Sequence, residues 1–399
     1  MKITDFGDHR MMRRTFLLFV VLCASLTVFS TSANADIFNM FKKAEPTVQQ
    51  APTEQLISSD LLSHSGLKAA WQINLPIQTN ESLGRMYING NMLYVFTDSN
   101  YMFGIERKKG ISRFGIRIAN PGLPILAPKF YEGKIYITVG NRLQIIDSDL
   151  GYVTDSRQLD IIGKFAVCPF ERNDDVFYAV GSNRRLYFLD PTDYFILHMV
   201  SAYNDSLINS IVVDNERVVF AAESGNIVNL PVMMKTPVWQ TDIAAGLAAP
   251  VVRDGDALYV SSLDMKLYRL NMANGYSAWE TPFQTGQPLR TSARVGKNLI
   301  YQYAGTDGVY AVDKITGKMA WNLPDGFDLL CELGSRAYVI GEPAMIYVMD
   351  NAKKKLVYSV NAAGATSYAV NTTDSTMYIA AKDGRLLAIN IANPKFEVK

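Results

Sequence analysis

The stretch AVDKITGKMAW, residues 311–321, places a tight turn between two short apolar segments. Residues 311–313 predict the end of one β-strand, and residues 319–321 predict the start of the next. Between them, Thr316 and Gly317 predict a turn, because glycine tolerates the positive φ that such turns often require. A stretch of this kind is most informative if it recurs, since repeats of roughly 20–50 residues are typical of solenoids and propellers.

The stretch does recur, because a strand of the form LYxLD ends each of eight copies. The copies end at Glu106, Asp147, Asp190, Pro231, Asn271, Asp313, Asp350 and Asn390. The intervals between these end points are 41, 43, 41, 40, 42, 37 and 40 residues. A tyrosine lies 11 or 12 residues before seven of the end points, at Tyr94, Tyr136, Tyr178, Tyr259, Tyr301, Tyr338 and Tyr378, and Val219 or Phe220 takes that place in the fourth copy.

Turn sequences divide each copy further. TDSN, GSNRR and GTDG lie between the tyrosine and the end point, and INGN, YEGK and RDGD lie before the tyrosine. Each copy therefore predicts four antiparallel strands in about 40 residues, which is the size of a propeller blade. A β-helix, the rival repeat architecture, has shorter repeats without four hairpin-connected strands. The sequence predicts an all-β, eight-bladed β-propeller with four-stranded antiparallel blades.

Closure of the ring requires the two ends of the chain to meet. The last copy ends close to the C-terminus, with FEVK as the only candidate for its outer strand. Residues 67–75, LKAAWQINL, precede the first copy and predict an outer strand without a blade of its own. We expect this N-terminal strand around Trp71 to complete the eighth blade, because ring closure protects blade edges. The predicted propeller spans residues 67–399.

Ala311, Asp313, Thr316, Gly317 and Trp321 together resemble the tryptophan-docking motif of eight-bladed, quinoprotein-type propellers, the pyrroloquinoline quinone (PQQ)-like family. The resemblance implies that the alanine and tryptophan pack together and that the glycine lets a neighbouring tryptophan stack. It also implies that the aspartate and threonine close the turn with hydrogen bonds. Small and aromatic partners of this kind suit tight packing between blades.

The other copies keep less of this motif. A tryptophan occupies the aromatic position in three other copies: Trp239 in the fourth, Trp279 in the fifth, where Gly275 precedes it, and Trp71 in the eighth. Phe114 and Tyr358 replace it in the first and seventh copies. Asp155 and His198 take the position in the second and third. We therefore expect irregular blades, and we expect the docking residues to have a structural role.

The N-terminus has the organisation of an export signal. Arg13 and Arg14 precede an apolar run over residues 15–29, and an Ala-x-Ala pattern ends at Ala35. This order predicts a signal peptide over residues 1–35, cleaved before Asp36, with Sec and twin-arginine export both open. The apolar run is shorter than the roughly 20 residues that a membrane-spanning helix needs. Cys23 lies inside this run and forms no convincing lipobox, so we expect an exported protein of the periplasm or the periplasmic face of the outer membrane.

Residues 36–66 form the predicted linker between the signal and the propeller. AEPTVQQAPTEQ, residues 44–55, is rich in Pro, Gln and Thr and has no apolar period, which predicts a flexible segment. DIFNMFKK, residues 36–43, is either a short docking peptide for a partner or a membrane surface, or the frayed end of the mature chain. Peripheral membrane association therefore stays open.

Several observations argue against an enzyme. The family that the motif resembles includes PQQ-dependent dehydrogenases, which need an aromatic floor under the quinone, a cation held by Glu, Asn and Asp oxygens, and an Asp base. All four tryptophans of this chain occupy docking positions, and acidic pairs such as Asp254 and Asp256 lie in predicted turns. The histidines beyond the signal, His64 and His198, form no metal cluster or catalytic triad with other residues. We expect no catalytic residue, cofactor or metal.

The cysteines beyond the signal are expected to be structural. Cys168 and Cys331 lie just before the tyrosine strands of the third and seventh copies, so they are placed on innermost strands of opposite blades. Such a separation exceeds the ~7 Å between Cα atoms that a disulfide allows. We expect both to be small, buried, reduced side chains.

The resemblance supports a binding protein more than an enzyme. The PQQ-like family also includes BamB, a non-enzymatic propeller of the outer-membrane β-barrel assembly machinery, and a formal net charge of +1 gives no sign of a nucleic-acid partner. We expect a monomeric envelope scaffold with protein partners and a BamB-like role. The alternatives are a PQQ-dependent dehydrogenase or a degenerate relative, and an envelope ligand-binding or sensor propeller. An apolar patch on one loop face would favour the scaffold, and a Glu, Asn and Asp cluster at the channel mouth would favour the enzyme.

Overall fold

The structure is a computed structural model that describes residues 54–397. The predicted signal peptide, its cleavage site between Ala35 and Asp36, and residues 36–53 lie outside the described residues. The first described element is a short helix, Ser59–Ser63 (α1), which is followed by Leu67–Asn74 (β1). Three single turns of 3-10 helix lie at Asp160–Ile162, Tyr203–Asp205 and Gly305–Asp307.

The first four blades follow β1 in chain order. Blade 1 contains Leu83–Asn89 (β2), Met92–Thr97 (β3), Tyr101–Glu106 (β4) and Ile111–Arg117 (β5). Blade 2 contains Lys129–Tyr131 (β6), Lys134–Val139 (β7), Arg142–Asp147 (β8) and Val153–Gln158 (β9). Blade 3 contains Glu171–Arg172 (β10), Phe177–Val180 (β11), Leu186–Leu189 (β12) and Ile196–Val200 (β13). Blade 4 contains Ile208–Val213 (β14), Arg217–Ala222 (β15), Asn226–Pro231 (β16) and Trp239–Asp242 (β17).

The remaining blades complete the ring. Blade 5 contains Val252–Asp254 (β18), Ala257–Ser261 (β19), Lys266–Asn271 (β20) and Phe283–Gln284 (β21). Blade 6 contains Arg294–Val295 (β22), Leu299–Tyr303 (β23), Val309–Asp313 (β24) and Met319–Leu323 (β25). Blade 7 contains Gly326–Leu333 (β26), Arg336–Gly341 (β27), Met345–Asp350 (β28) and Lys355–Asn361 (β29). Blade 8 contains Ser367–Ala369 (β30), Met377–Ala380 (β31) and Arg385–Ile391 (β32), with β1 as its fourth strand.

The ring closes as the sequence predicts. In blade 8 the strand order is β1-β32-β31-β30, so the N-terminal strand is the outermost strand of the last blade. Leu67 lies opposite Ile391 and Trp71 lies opposite Ala388 in an antiparallel pair. Each of the eight sheets has four antiparallel strands, and the eight-bladed propeller prediction is confirmed. No described residue beyond Ile391 belongs to a strand.

The repeated tyrosines lie on the second strands and include the largest fully buried side chains of the described residues. Six of them are fully buried: Tyr94, Tyr178, Tyr259, Tyr301, Tyr338 and Tyr378. Several hydroxyls reach the next blade. The Tyr94 hydroxyl donates to the Ser148 carbonyl at 3.0 Å, and the Tyr378 hydroxyl accepts from the Arg107 guanidinium at 3.1 Å. Burial raises the pKa of Tyr94 to about 12, so the phenol stays neutral in this position.

The antiparallel blades define two faces of the ring. The turns between first and second strands and between third and fourth strands lie at one end of each sheet, which we call face A. The turns between second and third strands, together with the connections between blades, lie at the other end, which we call face B. Residues 148–152 and 314–318 are examples on face A, and residues 201–207 are an example on face B.

The linker prediction is wrong for residues 54–66. Ser58 caps α1 by accepting a hydrogen bond from the Leu61 amide at 3.3 Å, and Leu62 packs with Ile57 into the core shared by blades 7 and 8. Leu62 is 1% exposed. The Ser65 carbonyl also accepts from the Tyr358 hydroxyl at 2.9 Å, so the segment covers the outer junction of these two blades.

Both cysteines of the described part are buried free thiols. Cys331 lies on β26, the innermost strand of blade 7, and Cys168 lies just before β10, the innermost strand of blade 3. Burial raises the pKa of Cys168 to about 12, which keeps it as an unreactive thiol. Within residues 54–397, no helix is both long and apolar enough to cross a bilayer.

Candidate interaction surface

The docking residues join the outer part of one blade to a turn of the next. Trp71, on the outermost strand of blade 8, donates its indole N–H to the Arg107 carbonyl of blade 1 at 2.7 Å. Its ring covers Gly110, where an added Cβ would lie 2.6 Å from the indole. Gly110 has a φ of +69°, so a side chain there would be strained as well as crowded. The contact therefore requires glycine for two separate reasons.

The same arrangement recurs in the next two tryptophan blades. The Trp239 indole donates to the Met272 carbonyl at 2.8 Å and covers Gly275 of blade 5. The Trp279 indole donates to the Lys314 carbonyl at 2.9 Å and covers Gly317 of blade 6. Trp279 lies in an irregular segment before β21, so it docks without belonging to a strand.

The fourth tryptophan uses a side-chain acceptor. Trp321 lies opposite Ala311 within blade 6, and its indole donates to the Asn351 Oδ1 of blade 7 at 2.9 Å. The turn that begins with Asp313 is closed by its own side chain, because the carboxylate accepts from the Thr316 amide at 2.8 Å and from the Thr316 hydroxyl at 2.9 Å. The Thr316 amide is the largest cause of the lowered pKa of Asp313.

Blades 2 and 3 dock differently. Asp155 pairs with Arg157 of its own strand, and the Arg157 guanidinium lies 5.8 Å from the ring centre of Tyr194 in blade 3. His198 stacks on Phe188 of its own blade at 3.8 Å between ring centres. The His198 Nε2 is buried without a hydrogen-bond partner. Neither side chain makes the cross-blade indole contact seen in blades 4, 5, 6 and 8.

The outer edge of blade 3 has more exposed large apolar side chains than the outermost strand of any other blade. β13 has the sequence ILHMV, and Ile196, Leu197 and Met199 are each more than a third exposed. The outermost strands of blades 1, 2 and 7 carry arginine, aspartate or lysine, which are side chains that commonly protect strand edges. β13 has no acidic, lysine or arginine side chain and pairs on only one side, with β12. It therefore offers an unprotected edge to another extended chain.

The central channel does not fit a PQQ site. On the inner strands, Arg294 binds both carboxylate oxygens of Asp328 at 2.9 Å, and Lys129 forms an ion pair with Glu171. These carboxylates are already paired with protein cations, so they are not free to hold a metal ion. Within residues 54–397, no group of three or more His, Cys, Asp or Glu side chains is arranged to hold one. The four tryptophans lie at the rim, where they contact turns of the adjacent blade.

A polar concavity of 720 Å³ opens on face A between blades 5 and 8. Two of its carboxylates are ion-paired: Asp254 with Lys314 of the same concavity at 2.6 Å, and Asp374 with Arg107 of blade 1. Glu332 accepts from the Tyr301 hydroxyl and from the Lys297 amide. The polar side chains that line the concavity therefore form hydrogen bonds and ion pairs that link neighbouring blades.

Comparison with known proteins gives the family. A family model described as outer membrane protein assembly factor BamB matches residues 68–281 and residues 173–328. The chain belongs to the BamB family of PQQ-like propellers. The crystal structure of BamB from Moraxella catarrhalis superposes with a TM-score of 0.62, at 14% identity, over 84% of this chain and 99% of that chain. This BamB-family chain matches no curated protein sequence.

A designed protein provides a second structural match. The crystal structure of the computationally designed Ika8 protein superposes with a TM-score of 0.60, at 10% identity, over 77% of this chain and 96% of that chain. At such low identities, both structural matches show the fold alone. The family assignment therefore rests on the sequence model, and the role of this BamB-family chain has to be argued from its own surface.

Sequence reasoning missed the apolar edge of β13. The signal was present in the stretch FILHMV, residues 195–200, where an outer strand lacks the alternation of apolar and polar residues that a half-exposed strand shows. His198 was assigned only as a degenerate docking position. The sequence places Leu197 and Met199 on a predicted outer strand, but it does not show that their side chains are exposed there.

Proposed function

We propose that this protein is a non-enzymatic scaffold of the cell envelope with a BamB-like role in the assembly of outer-membrane proteins. The observation that carries the proposal is the unprotected apolar edge of β13. Membership of the BamB family supports the assembly role, and the paired channel carboxylates argue against PQQ chemistry. The predicted signal peptide supports location in the periplasm or at the periplasmic face of the outer membrane.

The partner that fits β13 is an extended segment of an envelope protein. Added strands obtain their affinity from main-chain hydrogen bonds along an open edge and their specificity from alternate side chains. Leu197, where the register of β13 with β12 shifts, and Met199 are both more than a third exposed at this edge. A segment with apolar side chains at alternate positions would bury both of them while it pairs with the β13 backbone.

Site-specific crosslinking in the native envelope tests this proposal. A photoreactive amino acid at Leu197 or Met199 is expected to capture a subunit of the β-barrel assembly machinery, identified by mass spectrometry. The matched control is Leu356 on β29, an exposed residue of another outermost strand that begins with Lys355. Equal capture of that subunit from Leu356, or its absence from the β13 positions, would contradict the proposal.

The alternatives predict other outcomes. A PQQ-dependent dehydrogenase would bind PQQ with calcium and reduce an artificial electron acceptor in the presence of alcohols or sugars. We expect no such turnover from the purified protein supplied with PQQ and calcium. If the protein is an envelope ligand-binding or sensor propeller, a small ligand should bind to it and raise its melting temperature. Such binding would indicate a functional site other than the β13 edge.

A further inference from the structure

The most exposed apolar side chains of the described residues are not scattered. Seven large apolar side chains are at least 60% exposed: Leu150, Phe195, Tyr203, Met233, Met234, Tyr276 and Ile315. Six of these seven lie in turns between third and fourth strands, and only Tyr203 lies elsewhere, in a connection on face B. Such turns are usually polar, so this distribution calls for a physical reason.

The six residues occupy corresponding positions in consecutive blades. Leu150 belongs to blade 2, Phe195 to blade 3, Met233 and Met234 to blade 4, Tyr276 to blade 5 and Ile315 to blade 6. Corresponding turns of a ring lie at similar heights along its axis. The six side chains therefore form an arc on the outer rim of face A, which we call the apolar arc.

Hydrogen bonds hold the turns of the apolar arc in place. The Asp147 carboxylate accepts from the Leu150 amide at 2.8 Å, and the Asp313 carboxylate accepts from the Ile315 amide at 3.0 Å. The Asp193 carboxylate accepts from the Phe195 amide at 2.9 Å. Because these turns are already ordered, little conformational entropy is lost when their tips bind to a surface.

The same turns of the flanking blades carry lysines. Lys108 and Lys109 are exposed in the turn of blade 1, and Lys353 and Lys354 are exposed in the turn of blade 7. Lys353 is held by the carboxylate of Glu397 at 2.8 Å, and Lys109 lies 3.6 Å from the carboxylate of Glu106. Among the described residues, no ion pair is found for Lys108 or Lys354. The outer rim of face A thus continues from the apolar arc into basic turns on both sides.

Acidic residues of face A do not cancel this pattern. Asp254 is paired with Lys314 at 2.6 Å, and Asp214 is paired with Arg253 at 3.4 Å. Asp254 ends β18 and Asp214 follows β14, which are both innermost strands, so the two carboxylates lie nearer the axis than the apolar arc. The exposed Asp149, Asp193 and Glu280 lie in the turns of the arc in blades 2, 3 and 5. The strongest contact with an anionic surface is therefore expected at the turns of blades 4, 6 and 7.

We infer that the outer rim of face A docks on an anionic lipid surface, with the apolar arc inserted among the lipid headgroups and the flanking lysines bound to lipid phosphates. A planar membrane contacts separate tips of similar height at the same time, whereas a compact protein would need a contiguous patch. Interfacial binding grows with buried apolar area and with attraction to anionic lipids, and this rim supplies both. The surface differs from the β13 edge, so the inference does not depend on the proposed scaffold role.

Vesicle flotation tests the inference on the protein without residues 1–35. The wild type is expected to float with vesicles of phosphatidylethanolamine and phosphatidylglycerol, and much less with vesicles of phosphatidylcholine alone. The double variant Met233→Glu, Met234→Glu and the single variant Ile315→Glu are expected to lower the bound fraction by roughly tenfold. The double variant Lys108→Ala, Lys354→Ala is expected to lower binding to the anionic vesicles by a similar factor.

Two variants on face B are the matched controls. Tyr203→Glu and Phe165→Glu place the same charge at exposed apolar positions on the other face, and their binding is expected to equal that of the wild type. Melting temperatures show whether each variant is folded. A wild type that binds neither vesicle would overturn the inference, as would equal losses on both faces. Binding that no face A variant lowers would place the contact elsewhere in the chain and would overturn it too.

Discussion

Blades 4 to 6 and blades 2 to 3 solve the same packing problem in different ways. In blades 4 to 6, an indole crosses to the next blade, where it donates one hydrogen bond, and the rings of Trp239 and Trp279 also cover a glycine. In blades 2 and 3, Asp155 and His198 stay within their own blade. Blade 2 instead contacts blade 3 through Arg157, which lies over the Tyr194 ring at the rim, and through residues near the axis. Tyr131 donates to Asp174 at 2.6 Å, for example.

The difference shows that rim docking and ring formation are separable. Blade 3 forms without a docking tryptophan, since all residues of its middle strands β11 and β12 are buried. The tryptophans then add contacts between outer strands. Where they are absent, the outer strand is free to carry other side chains, and β13 carries exposed apolar ones.

The largest expected effect is on Trp321. Replacement of Trp321 with alanine removes a side chain that is 4% exposed, packs on Tyr301 and bonds to Asn351. We expect a loss of about 3–5 kcal/mol in the free energy of unfolding. Denaturant and thermal unfolding measure this loss. Asp155→Ala at the corresponding position of blade 2 is the control and should change the free energy by less than about 0.5 kcal/mol. A normal melting temperature for Trp321→Ala would remove the basis of the comparison.

The next effect separates packing from backbone strain at the docking glycine. Gly317 has a φ of +70°, and a Cβ there would lie 2.7 Å from the Trp279 ring. Gly133, in a turn of blade 2, has the same φ of +70° but no heavy atom within 4 Å of an added Cβ. Both alanine variants are destabilised by the positive φ, but only Gly317→Ala also displaces an indole. We expect Gly317→Ala to be less stable than Gly133→Ala by about 1–3 kcal/mol.

Unfolding of the two glycine variants in urea measures that difference directly. If they lose equal stability, the tryptophan shifts without cost and the glycine is needed for its backbone conformation alone. The indole contacts at the rim would then tolerate a displaced ring at little cost in stability.

A smaller effect is expected for the aspartate that closes the turn. Asp313 in blade 6 and Asp147 in blade 2 each accept from two amides of their turn, and Asp313 also accepts from the Thr316 hydroxyl. Replacement of either with alanine is expected to cost about 1 kcal/mol. The comparison predicts similar losses in both blades, because the turn does not need a docked tryptophan. A loss confined to Asp313→Ala would mean that the turn and the docking contact are coupled.

Acid titration checks the same turn. The pKa of Asp313 is lowered from its ordinary value of 3.8, chiefly by the Thr316 amide. The ionised carboxylate therefore stabilises the folded state above the unfolded pKa, and this contribution is lost as the pH falls through the lower, folded pKa. Asp313→Ala should lack this acid-dependent loss below pH 3.8.

The smallest effect concerns His198. Burial, followed by the charge of Lys235, lowers the pKa of His198 from its ordinary value of 6.5. Between the folded pKa and 6.5, the unfolded chain binds more protons than the folded one, so stability is complete above 6.5 and falls as the pH falls through this window. His198→Phe keeps a ring on Phe188 and should reduce the difference in melting temperature between about pH 7.5 and about pH 5.5.

The wild type, measured in parallel at both pH values, is the control for this titration. An unchanged pH dependence in His198→Phe would show that blade 3 does not sense the protonation of this side chain.

The sequence determined the architecture because propeller geometry is local and repeated. Each turn sequence and each buried tyrosine acts within one blade or on its neighbour, so the period of about 40 residues and the motif around Trp321 were sufficient to predict eight blades. Ring closure by the strand around Trp71 could be predicted because residues 67–75 form an outer strand that belongs to no complete copy of the repeat. The same reasoning failed for residues 54–66, because an apolar pair such as Ile57 and Leu62 is too short a pattern to indicate burial.

Only the tertiary structure decided which surfaces are open. The exposure of Leu197 and Met199 depends on β13 being the last strand of its sheet, and the apolar arc depends on five turns from separate blades lying on one face. Both properties arise from the rotation of blades around a common axis, which brings together residues that are about 40 positions apart. The sequence alone supplies the side chains of these surfaces, and the ring decides that they face outward together.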